Sequence, residues 1–322
     1  MITVDLCDKS RLESFRKSHP GKIVLAMGYF DGVHRGHQEV IKKAKSIAKD
    51  KGLSCALMSF DRHPAIIFKG INEKEATYLS PSNRKKQLLK KAGVDIFFLV
   101  PFTESFARQS PQEFIDQYVV GLGVDTLVAG EDYTYGPKDI ADMNHLPSFA
   151  QDRFEIYSVP PVKEGKEKIS SSLIRRAIEE GRMEEANEDL GYLYTLRGEV
   201  IHGAKRGRLI GYPTANIAVD EAYLLPKAGV YVASVIYKGH FYPSFLQLGY
   251  NKTFEVDRPD LSLEVHLFDF EGDLYGENLE VSFHHFLREE IRFPSAEALI
   301  EQLEQDKDKS LAYFKAKGKG DF

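Results

Sequence analysis

Short apolar runs separated by helical patterns fill the first half of the chain. Each run has the length of one β-strand, and the runs lie at Ile23–Met27, 53–60, 95–100, 126–129 and 154–159. Between them, apolar residues recur every three to four positions, which is the period of one helix face. This alternation of strands and helices predicts a doubly wound parallel sheet, whose ligands bind beyond the carboxyl ends of the strands.

The pattern changes in the second half of the chain. Short strands follow one another without helices between them, at 194–201, Gly229–Tyr237, 241–247, 261–268 and 279–286. Apolar and polar residues alternate in 261–268, as expected for a strand with one covered face. Evenly spaced strands of this kind predict a small antiparallel β-barrel. Pro294 and Ser295 mark the start of a closing C-terminal helix.

We place a domain boundary near residue 185, with one domain at 1–185 and a second at 186–322. The length of 322 residues allows two domains that each bury a core. Hydrophobic residues make up 43% and charged residues 28%, as in soluble globular proteins. Cys7 and Cys55 have no metal-ligand spacing, and two free thiols fit a reduced setting.

Charge and hydropathy exclude several classes of protein. A net charge of -5 argues against a general nucleic-acid-binding protein, although 43 Lys and Arg residues leave room for a local phosphate site. The N-terminal sequence has no signal-peptide pattern, and no stretch approaches the ~18 apolar residues of a membrane helix. We therefore expect a cytoplasmic enzyme that acts on small molecules, with an oligomeric state that stays open.

The sequence GYFDGVHRGH at residues 28–37 lies between the first apolar strand and an amphipathic helix. Its glycines, including Gly28 and Gly36, allow the backbone to approach a ligand closely, and His34 and His37 add two imidazoles. Unpaired N–H groups and about half a positive charge collect at a helix N-terminus. The combination predicts a nucleotide phosphate site. Each residue alone is explained as well by a turn or a cap, and the loop matches neither GxGxxG nor the P-loop motif.

Polar residues also follow other strands of the predicted sheet. Asp61 and His63 follow the second strand, and Asp132 and Tyr135 follow the fourth. After the last strand comes ISSSLIR at residues 169–175, whose hydroxyl and guanidinium groups suit contacts to a triphosphate. Ordinary N-capping by Ser, with an exposed Arg, explains this last segment about equally well.

The strand, the 28–37 loop and the following helix resemble the start of the bacterial bifunctional riboflavin kinase and FAD synthetase family, which carries the HxGH signature of nucleotidylyl transferases. The resemblance implies a doubly wound sheet of the nucleotidylyl transferase type that transfers AMP from ATP to FMN. It implies that His34 and His37 are catalytic. It assigns ATP binding to Gly28, Phe30, Asp31, Gly36, Ser171, Ser172 and Arg175. It assigns flavin binding to Asp61, His63, Asp132 and Tyr135.

A second motif, GAKRGRLIGYPTAN, lies at residues 203–216 within the predicted barrel. It combines glycines and basic side chains with the oxygens of Thr214 and Asn216, which suit Mg²⁺. Alone it is better explained as a basic surface loop. It closely resembles the riboflavin kinase signature of the same family. Further family markers follow in order: GVY at 229–231, Glu264, LYG at 274–276 and FLREE at 286–290.

This second resemblance implies that Glu264 takes the proton from the ribityl 5'-hydroxyl, and that Thr214 and Asn216 hold Mg²⁺ and nucleotide phosphates. It assigns a second ATP to Gly203, Lys205, Gly207, Arg208, Thr214 and Asn216. It places Arg288 and Glu290 at the flavin. We therefore expect two consecutive activities, with ATP as co-substrate and Mg²⁺ as cofactor. The barrel phosphorylates riboflavin to FMN, and the first domain adenylylates FMN to FAD with release of pyrophosphate.

Two alternatives stay open at this point. A riboflavin kinase with a decayed transferase domain explains why Arg62 stands where the family has Pro, and why the stretch after Gly136 lacks a family Gly, but not the intact 28–37 loop. The other alternative is a non-enzymatic flavin or nucleotide sensor. Binding alone has little use for Glu264 together with a pair of His residues.

Overall fold

The computed structural model describes residues 1–165, 167–203, 206–219, 222–251 and 260–318. The chain divides into two compact units, Met1–Ser171 and Ser172–Phe322. The predicted fold is confirmed: a parallel sheet with helices comes first, and a closed antiparallel barrel with a C-terminal helix follows. Across the described residues, no helix is both long enough and apolar enough to cross a membrane.

Six parallel strands form the sheet of the first unit. They are β1 (Ile2–Asp5), β2 (Ile23–Met27), β3 (Ser54–Phe60), β4 (Ile96–Val100), β5 (Val124–Gly130) and β6 (Glu155–Val159). Their spatial order is β1-β4-β3-β2-β5-β6. β2 pairs on both sides and is buried at all its positions, which explains its uninterrupted apolar sequence. β1 was not predicted because it is a mostly exposed edge strand with little apolar pattern.

Helices connect these strands. They are α1 (Lys9–Ser18), α2 (Arg35–Lys51), α3 (Pro64–Lys69), α4 (Ser82–Lys91), α5 (Glu104–Ala107), α6 (Pro111–Phe114) and α7 (Leu146–Ala150). A 3-10 turn covers Glu73–Glu75, and α6 continues as a π-helix at Ile115–Val120. A two-stranded hairpin, β7 (Lys163–Glu164) with β8 (Glu167–Lys168), follows the sheet. α2 buries Val40, Ile41, Ala44 and Ala48, as its spacing predicts.

Two helices follow the strands of the sheet along the chain and precede those of the barrel. They are α8 (Ser171–Glu179) and α9 (Met183–Leu190). The Asn187 side chain ties α9 to the barrel, since its amide donates to the Phe283 carbonyl at 2.8 Å and its oxygen accepts from the Tyr194 N–H at 2.7 Å. The compact units divide between Ser171 and Ser172, whereas the change of sequence pattern near residue 185 lies inside α9.

Six antiparallel strands close the barrel of the second unit. They are β9 (Thr195–Ile201), β10 (Ala215–Val219), β11 (Gly229–Tyr237), β12 (His240–Asn251), β13 (Asp260–Leu267) and β14 (Asn278–Arg288). Their order is β10-β13-β12-β11-β14-β9. A short helix, α10 (Arg206–Leu209), precedes β10. β10 was not predicted, because it begins inside the glycine-rich motif and its pattern is short.

The closing helix is α11 (Ala296–Lys317), and the predicted start is confirmed: the Ser295 hydroxyl accepts from the Ala298 N–H at 3.3 Å. The residues predicted to face inward, Ala298, Leu299 and Leu303, are partly buried. Leu303 packs on the buried cluster of Val230, Phe245 and Phe268. The deepest positions of the helix are Asp306, Ser310 and Phe314. The helix therefore buries a polar pair as well as apolar side chains.

His284 gives the barrel a dependence on acid. Its side chain is 1% exposed, and Nε2 lies 2.8 Å from the Ser234 hydroxyl. Burial lowers the pKa of His284 from 6.5 to about 4. Between these two pH values, His284 binds a proton in the unfolded chain but not in the folded chain. Above about pH 6.5, His284 does not lower the free energy of unfolding. As the pH drops towards 4, it lowers the free energy of unfolding by up to about 3 kcal/mol.

Urea unfolding at neutral pH and at about pH 5 measures this loss. The matched variant is His284→Gln, which does not titrate and still offers an amide to Ser234. We expect its stability to change less with pH than that of the parent chain. Equal losses in both proteins would contradict the role of His284.

Candidate active sites

A cavity of about 590 Å³ opens in the first unit beside the carboxyl ends of β2, β3, β5 and β6. This is where a doubly wound sheet binds its ligands, and the volume is within the usual range for small-molecule sites. Many predicted site residues line it: Gly28, Phe30, His34, Gly36, His37, Asp132, Tyr135 and Ser171. The structure thus brings the loop after β2 together with segments that follow β5 and β6.

The loop after β2 has a backbone that few sequences adopt. Phe30, Gly32 and Val33 have φ values of 53°, 82° and 40°, in the left-handed region that non-glycine residues avoid. A Cβ on Gly28 would lie 3.0 Å from the Phe30 ring, and a Cβ on Gly36 would lie 3.2 Å from the His34 ring. Phe30 and Val33 are buried, so that tertiary packing compensates for the local strain.

The imidazoles of His34 and His37 stack, with ring centroids 3.6 Å apart and planes 18° apart. His34 is the N-cap of α2, and its Nδ1 accepts from the His37 backbone N–H at 3.4 Å. A neutral ring whose Nδ1 accepts carries its proton on Nε2. His34 therefore has an N–H to offer to an anion at the helix N-terminus.

Both imidazoles are neutral near physiological pH. Burial, reinforced by the charge of Lys168, lowers the pKa of His34 from 6.5 to about 4. Burial also holds the pKa of His37 well below 6.5, with further contributions from His34, Lys85 and Lys168. A bound triphosphate favours the charged imidazole and so raises both pKa values. The two imidazoles can therefore take up protons as negative charge increases on a nearby phosphate.

Buried polar atoms at the cavity lack partners. Within the described parts of the chain, His37 Nδ1, Gln109 Oε1 and Tyr135 Oη are buried and accept or donate no hydrogen bond, and all three residues line the cavity. An unsatisfied buried polar group costs about 1–3 kcal/mol. Groups of this kind are expected where a ligand completes the hydrogen bonds.

Aromatic side chains form one wall of the cavity. They come from the end of β3 and from the α5–α6 region: Phe60, Phe102, Phe106 and Phe114. Their rings contact one another at centroid distances of 5.3 to 5.9 Å. This wall suits a planar aromatic ligand. The sequence analysis assigned neither this aromatic wall nor Gln109 to a site. The high frequency of Phe between residues 102 and 114 could have indicated the wall.

Lys168 is a second residue that the sequence did not single out. It lies on β8, lines the cavity, and its ammonium pairs with the carboxylate of the predicted flavin contact Asp132. The neighbouring strand of the hairpin is held to α2 by an ion pair between Arg35 and Glu164 of 2.9 Å. The hairpin therefore places a positive charge beside the two imidazoles.

The predicted ATP contact Asp31 binds the protein itself. Its carboxylate accepts from the backbone N–H groups of Leu79 and Ser80 at 3.2 and 3.0 Å, and the side chain is 1% exposed. Its backbone carbonyl accepts from the Ser171 hydroxyl at 3.0 Å. Asp31 thus fixes the loop after β2 against the segment before α4, and direct contact with ATP stays a prediction.

The predicted flavin contacts Asp61 and His63 also have partners in the protein. Asp61 Oδ1 accepts from the Phe102 N–H at 2.8 Å, and Oδ2 pairs with Arg62 at 3.2 Å. His63 is the N-cap of α3, where Nδ1 accepts from the Ala65 N–H at 3.0 Å. Both residues shape the loop after β3, and their contact with flavin stays a prediction.

Two further predicted ATP contacts, Ser172 and Arg175, lie on α8 and belong to the second compact unit. Their contact with ATP stays a prediction. Ser171, the residue before them, lines the cavity of the first unit. Lys205, predicted for the second ATP, lies outside the described residues.

In the barrel, β10 and β13 bring the predicted base and the predicted metal ligands together. Asn216 and Glu264 are register partners across the two strands. The Thr214 hydroxyl donates to Glu264 Oε2 at 3.2 Å, and the Ser262 hydroxyl donates to Oε1 at 3.0 Å. The Glu264 side chain is half-buried and held by two donors. It is therefore oriented rather than a free surface residue.

The glycines of the 203–216 motif are needed for close approach. A Cβ on Gly203 would lie 2.3 Å from Asn216 Nδ2, and a Cβ on Gly207 would lie 2.1 Å from the Tyr212 carbonyl oxygen. Arg208 donates to the Tyr275 hydroxyl at 3.4 Å. The motif thus folds back on itself around Asn216.

The oxygen donors of Thr214, Asn216 and Glu264 fit Mg²⁺, a hard cation that keeps several waters and takes few protein ligands. In the described ranges, no group of three or more His, Cys, Asp or Glu residues is arranged to hold a metal ion.

Arg288 and Glu290, predicted at the flavin, bond within the protein. The Arg288 guanidinium makes bonds of 2.7 to 3.1 Å to both carboxylate oxygens of Asp306, which is fully buried. Glu290 accepts from the Gln247 amide at 2.9 Å. Arg288 thus fastens α11 to β14, and flavin contact by either residue stays a prediction.

Family models match both halves of the chain. A FAD synthetase model matches residues 16–173, and a riboflavin kinase model matches residues 190–314. A bifunctional riboflavin kinase/FMN adenylyltransferase from Listeria monocytogenes is 48% identical over 291 residues, which are 90% of this chain and 92% of the relative. The chain belongs to this bifunctional family. A relative of the same name from Bacillus subtilis is 40% identical and covers 92% of this chain and 94% of its own length.

One solved structure resembles the whole chain. It is described as a macrolide-efflux protein from Streptococcus pneumoniae, has 34% sequence identity and a TM-score of 0.89, and the match covers 97% of this chain and 99% of that one. The family that the two motifs indicated is therefore confirmed, with the transferase domain first and the kinase domain second.

Proposed function

We propose that this chain converts riboflavin to FAD in two ATP-dependent steps on separate domains. The domain at 186–322 phosphorylates riboflavin to FMN, and the domain at 1–185 adenylylates FMN and releases pyrophosphate. The observation that carries the proposal is the presence of two complete constellations in one chain. One is the stacked pair of His34 and His37 at the N-terminus of α2, and the other is Glu264 bonded to Thr214.

In the transferase step, the nucleophile is the FMN phosphate, which is already ionised, so that no general base is required. Charge increases on the α-phosphate and on the departing pyrophosphate. The Nε2–H of His34, the imidazole of His37 and the N-terminal N–H groups of α2 are donors held in place before the substrate arrives. The two imidazoles are neutral before the substrate binds. Negative charge on the phosphates raises their pKa values, so that they become positively charged as that charge increases.

We assign the isoalloxazine ring of FMN to the aromatic wall of the cavity. Flavin carries ring nitrogens and carbonyl oxygens around a planar apolar body. Gln109 Oε1 and Tyr135 Oη, buried without partners in the described structure, supply an acceptor and a hydroxyl for the polar edge of such a ring. The cavity volume of about 590 Å³ leaves room for more than one ring system.

In the kinase step, the nucleophile is a neutral hydroxyl and needs a base. Glu264 takes the proton of the ribityl hydroxyl as the oxygen attacks the γ-phosphorus of ATP, and the bond from that phosphorus to the departing ADP breaks. Thr214 and Asn216 would hold Mg²⁺, which would offset negative charge on the transferred group. The hydrogen bonds from Thr214 and Ser262 keep the carboxylate aimed at one position.

We propose that Mg²⁺ is the cofactor of the kinase step and that the partners of the enzyme are small molecules: riboflavin, FMN, FAD and ATP. We place the enzyme in the cytoplasm, where ATP is available and where Cys7 and Cys55 stay free thiols, as they are in the structure.

The test is a time course with riboflavin, ATP and Mg²⁺, followed by chromatographic separation of the flavins. We expect FMN to rise first and then to give way to FAD. FMN without FAD, even when FMN is supplied directly, would indicate a decayed transferase domain. Saturable flavin binding without any product would indicate a sensor.

His266 positions the nucleotide loop of the kinase domain. It lies two residues after Glu264 on β13, is 7% exposed, and its Nδ1–H donates to the Pro213 carbonyl at 2.7 Å. This bond fixes the residue before Thr214. We expect His266→Leu to lower kcat for FMN formation about tenfold, since one buried hydrogen bond contributes about 1–1.5 kcal/mol.

The matched variant is His266→Asn, whose amide N–H can take the place of Nδ1–H, and we expect it to keep most of the activity. FAD formation from supplied FMN serves as the control for both variants, because it uses the other domain. If the Leu variant phosphorylates riboflavin like the parent, the bond to Pro213 has no part in the kinase step.

A further inference from the structure

Lys85, on α4, is a buried cation underneath the loop that carries the two imidazoles. Its side chain is 4% exposed. Its ammonium donates to the Tyr29 carbonyl oxygen at 3.0 Å and to the Ser59 hydroxyl at 3.2 Å. The Ser59 hydroxyl donates to the same carbonyl at 2.6 Å. One backbone carbonyl is therefore held from two directions, by a helix and by the end of β3.

This carbonyl belongs to the peptide that joins Tyr29 to Phe30. Phe30 has a φ of 53° and begins the strained part of the loop, and its ring lies 5.0 Å from the ring of His37. Holding the Tyr29 carbonyl fixes the orientation of this peptide plane, and with it the position of Phe30. The contact thus acts on His37 through the backbone and through one packed ring.

The charge of Lys85 also reaches the site. Its ammonium lies 4.6 Å from the centre of the Tyr29 ring, and it contributes to the lowered pKa of His37. Burial lowers the pKa of Lys85 from 10.5 to about 8, while the carboxylates of Asp31 and Asp61 favour its charged form. Burying an ammonium costs several kcal/mol, and an apolar side chain of similar length would fill this space without that cost.

We propose that Lys85 is a positioning residue for adenylyl transfer, which fixes the loop after β2 through the Tyr29 carbonyl and keeps a positive charge behind the phosphate site. This inference rests on the proposed assignment of FAD formation to the first domain. Lys85 touches neither substrate. It acts through the Tyr29–Phe30 peptide and through its field at His37.

Three variants distinguish the contributions of the hydrogen bond, the positive charge and the second donor. Lys85→Met removes the hydrogen bond and the charge, Lys85→Gln keeps a donor without the charge, and Ser59→Ala removes the second donor while leaving the ammonium in place. Hydrogen bonds from charged donors contribute about 1.5–3 kcal/mol. We therefore expect kcat for FAD formation to fall about 10 to 100-fold in Lys85→Met, less in Lys85→Gln, and within about threefold in Ser59→Ala. FMN formation by the same preparations is expected to stay at the parent level.

The pH profile distinguishes positioning by charge from packing alone. The groups facing the ammonium are the carboxylates of Asp31 and Asp61, the ring of Tyr29 and the imidazole of His37. The ammonium loses its proton as the pH rises through about 8. FAD formation by the parent chain should therefore decline above that pH. Lys85→Gln should show a lower rate without this decline.

Three results would overturn the proposal: a parent-like rate of FAD formation in Lys85→Met, a loss of FMN formation to the same degree, or the same alkaline decline in Lys85→Gln as in the parent. Thermal unfolding followed by circular dichroism reports whether each variant is folded like the parent chain. If the parent chain makes no FAD at all, the result contradicts the proposed function of the first domain rather than the role of Lys85.

Discussion

We expect His37→Ala to abolish the formation of FAD and to leave the formation of FMN unchanged, when both products are followed in one assay. His37 lines the cavity, stacks on His34 at 3.6 Å, and has a buried Nδ1 without a partner among the described residues. Its removal takes away one preorganised donor and the ring that holds His34. Loss of a single donor of this kind typically lowers kcat on the order of 100 to 1000-fold.

The measurement supplies FMN and ATP to purified variants and follows FAD by chromatography. His145→Ala is the matched control, because His145 lies in the same unit, has a half-exposed side chain and pairs with Asp142. Riboflavin phosphorylation reports that the barrel is intact in both variants. FAD formation at the parent rate in His37→Ala would mean that the loop after β2 is not the adenylyl-transfer site.

We expect Glu264→Gln to remove the formation of FMN from riboflavin and to spare the formation of FAD from supplied FMN. The variant keeps the size of the side chain and an acceptor for the Thr214 hydroxyl, which lies 3.2 Å from Oε2. It cannot take a proton from the ribityl hydroxyl. Loss of a general base typically costs about 100 to 10,000-fold in rate, and Glu264→Ala is expected to lose at least as much.

With riboflavin as the only flavin, this variant should yield neither product, and addition of FMN should restore FAD. Glu271→Gln, an exposed change in the same barrel unit, controls for the loss of one negative charge. Riboflavin phosphorylation at the parent rate in Glu264→Gln would show that proton transfer uses another group. In that case Glu264 only orders Thr214.

Both expected results concern residues that the sequence had already identified. His34 and His37 are three positions apart in one loop, and the strand and helix around that loop are visible in the apolar pattern. Thr214 and Asn216 lie in one motif, and Glu264 follows on a strand with clear alternation. Short-range patterns of this kind are readable because each residue's neighbours along the chain are also its neighbours in the local structure.

Other features of the fold were not predicted. The edge strand β1 has exposed positions and so carries little apolar signal. β10 begins inside a motif whose glycines and charges indicate a loop. The bonds of Asn187 on α9 to Phe283 and Tyr194 join residues that are distant along the chain or irregular in pattern.

By itself, the sequence determined the two fold classes, their order, the phosphate loop and the kinase motif, because periodicity and glycine placement are local properties of the chain. Only the tertiary structure decided which polar groups face a ligand and which hold the protein together. Lys85 reaches a carbonyl 56 residues away, and Arg288 on strand β14 is bound by the carboxylate of Asp306 on helix α11. A charged side chain looks the same in the sequence whether it is exposed or buried. Its role is set by partners distant along the chain that offset the cost of burying it.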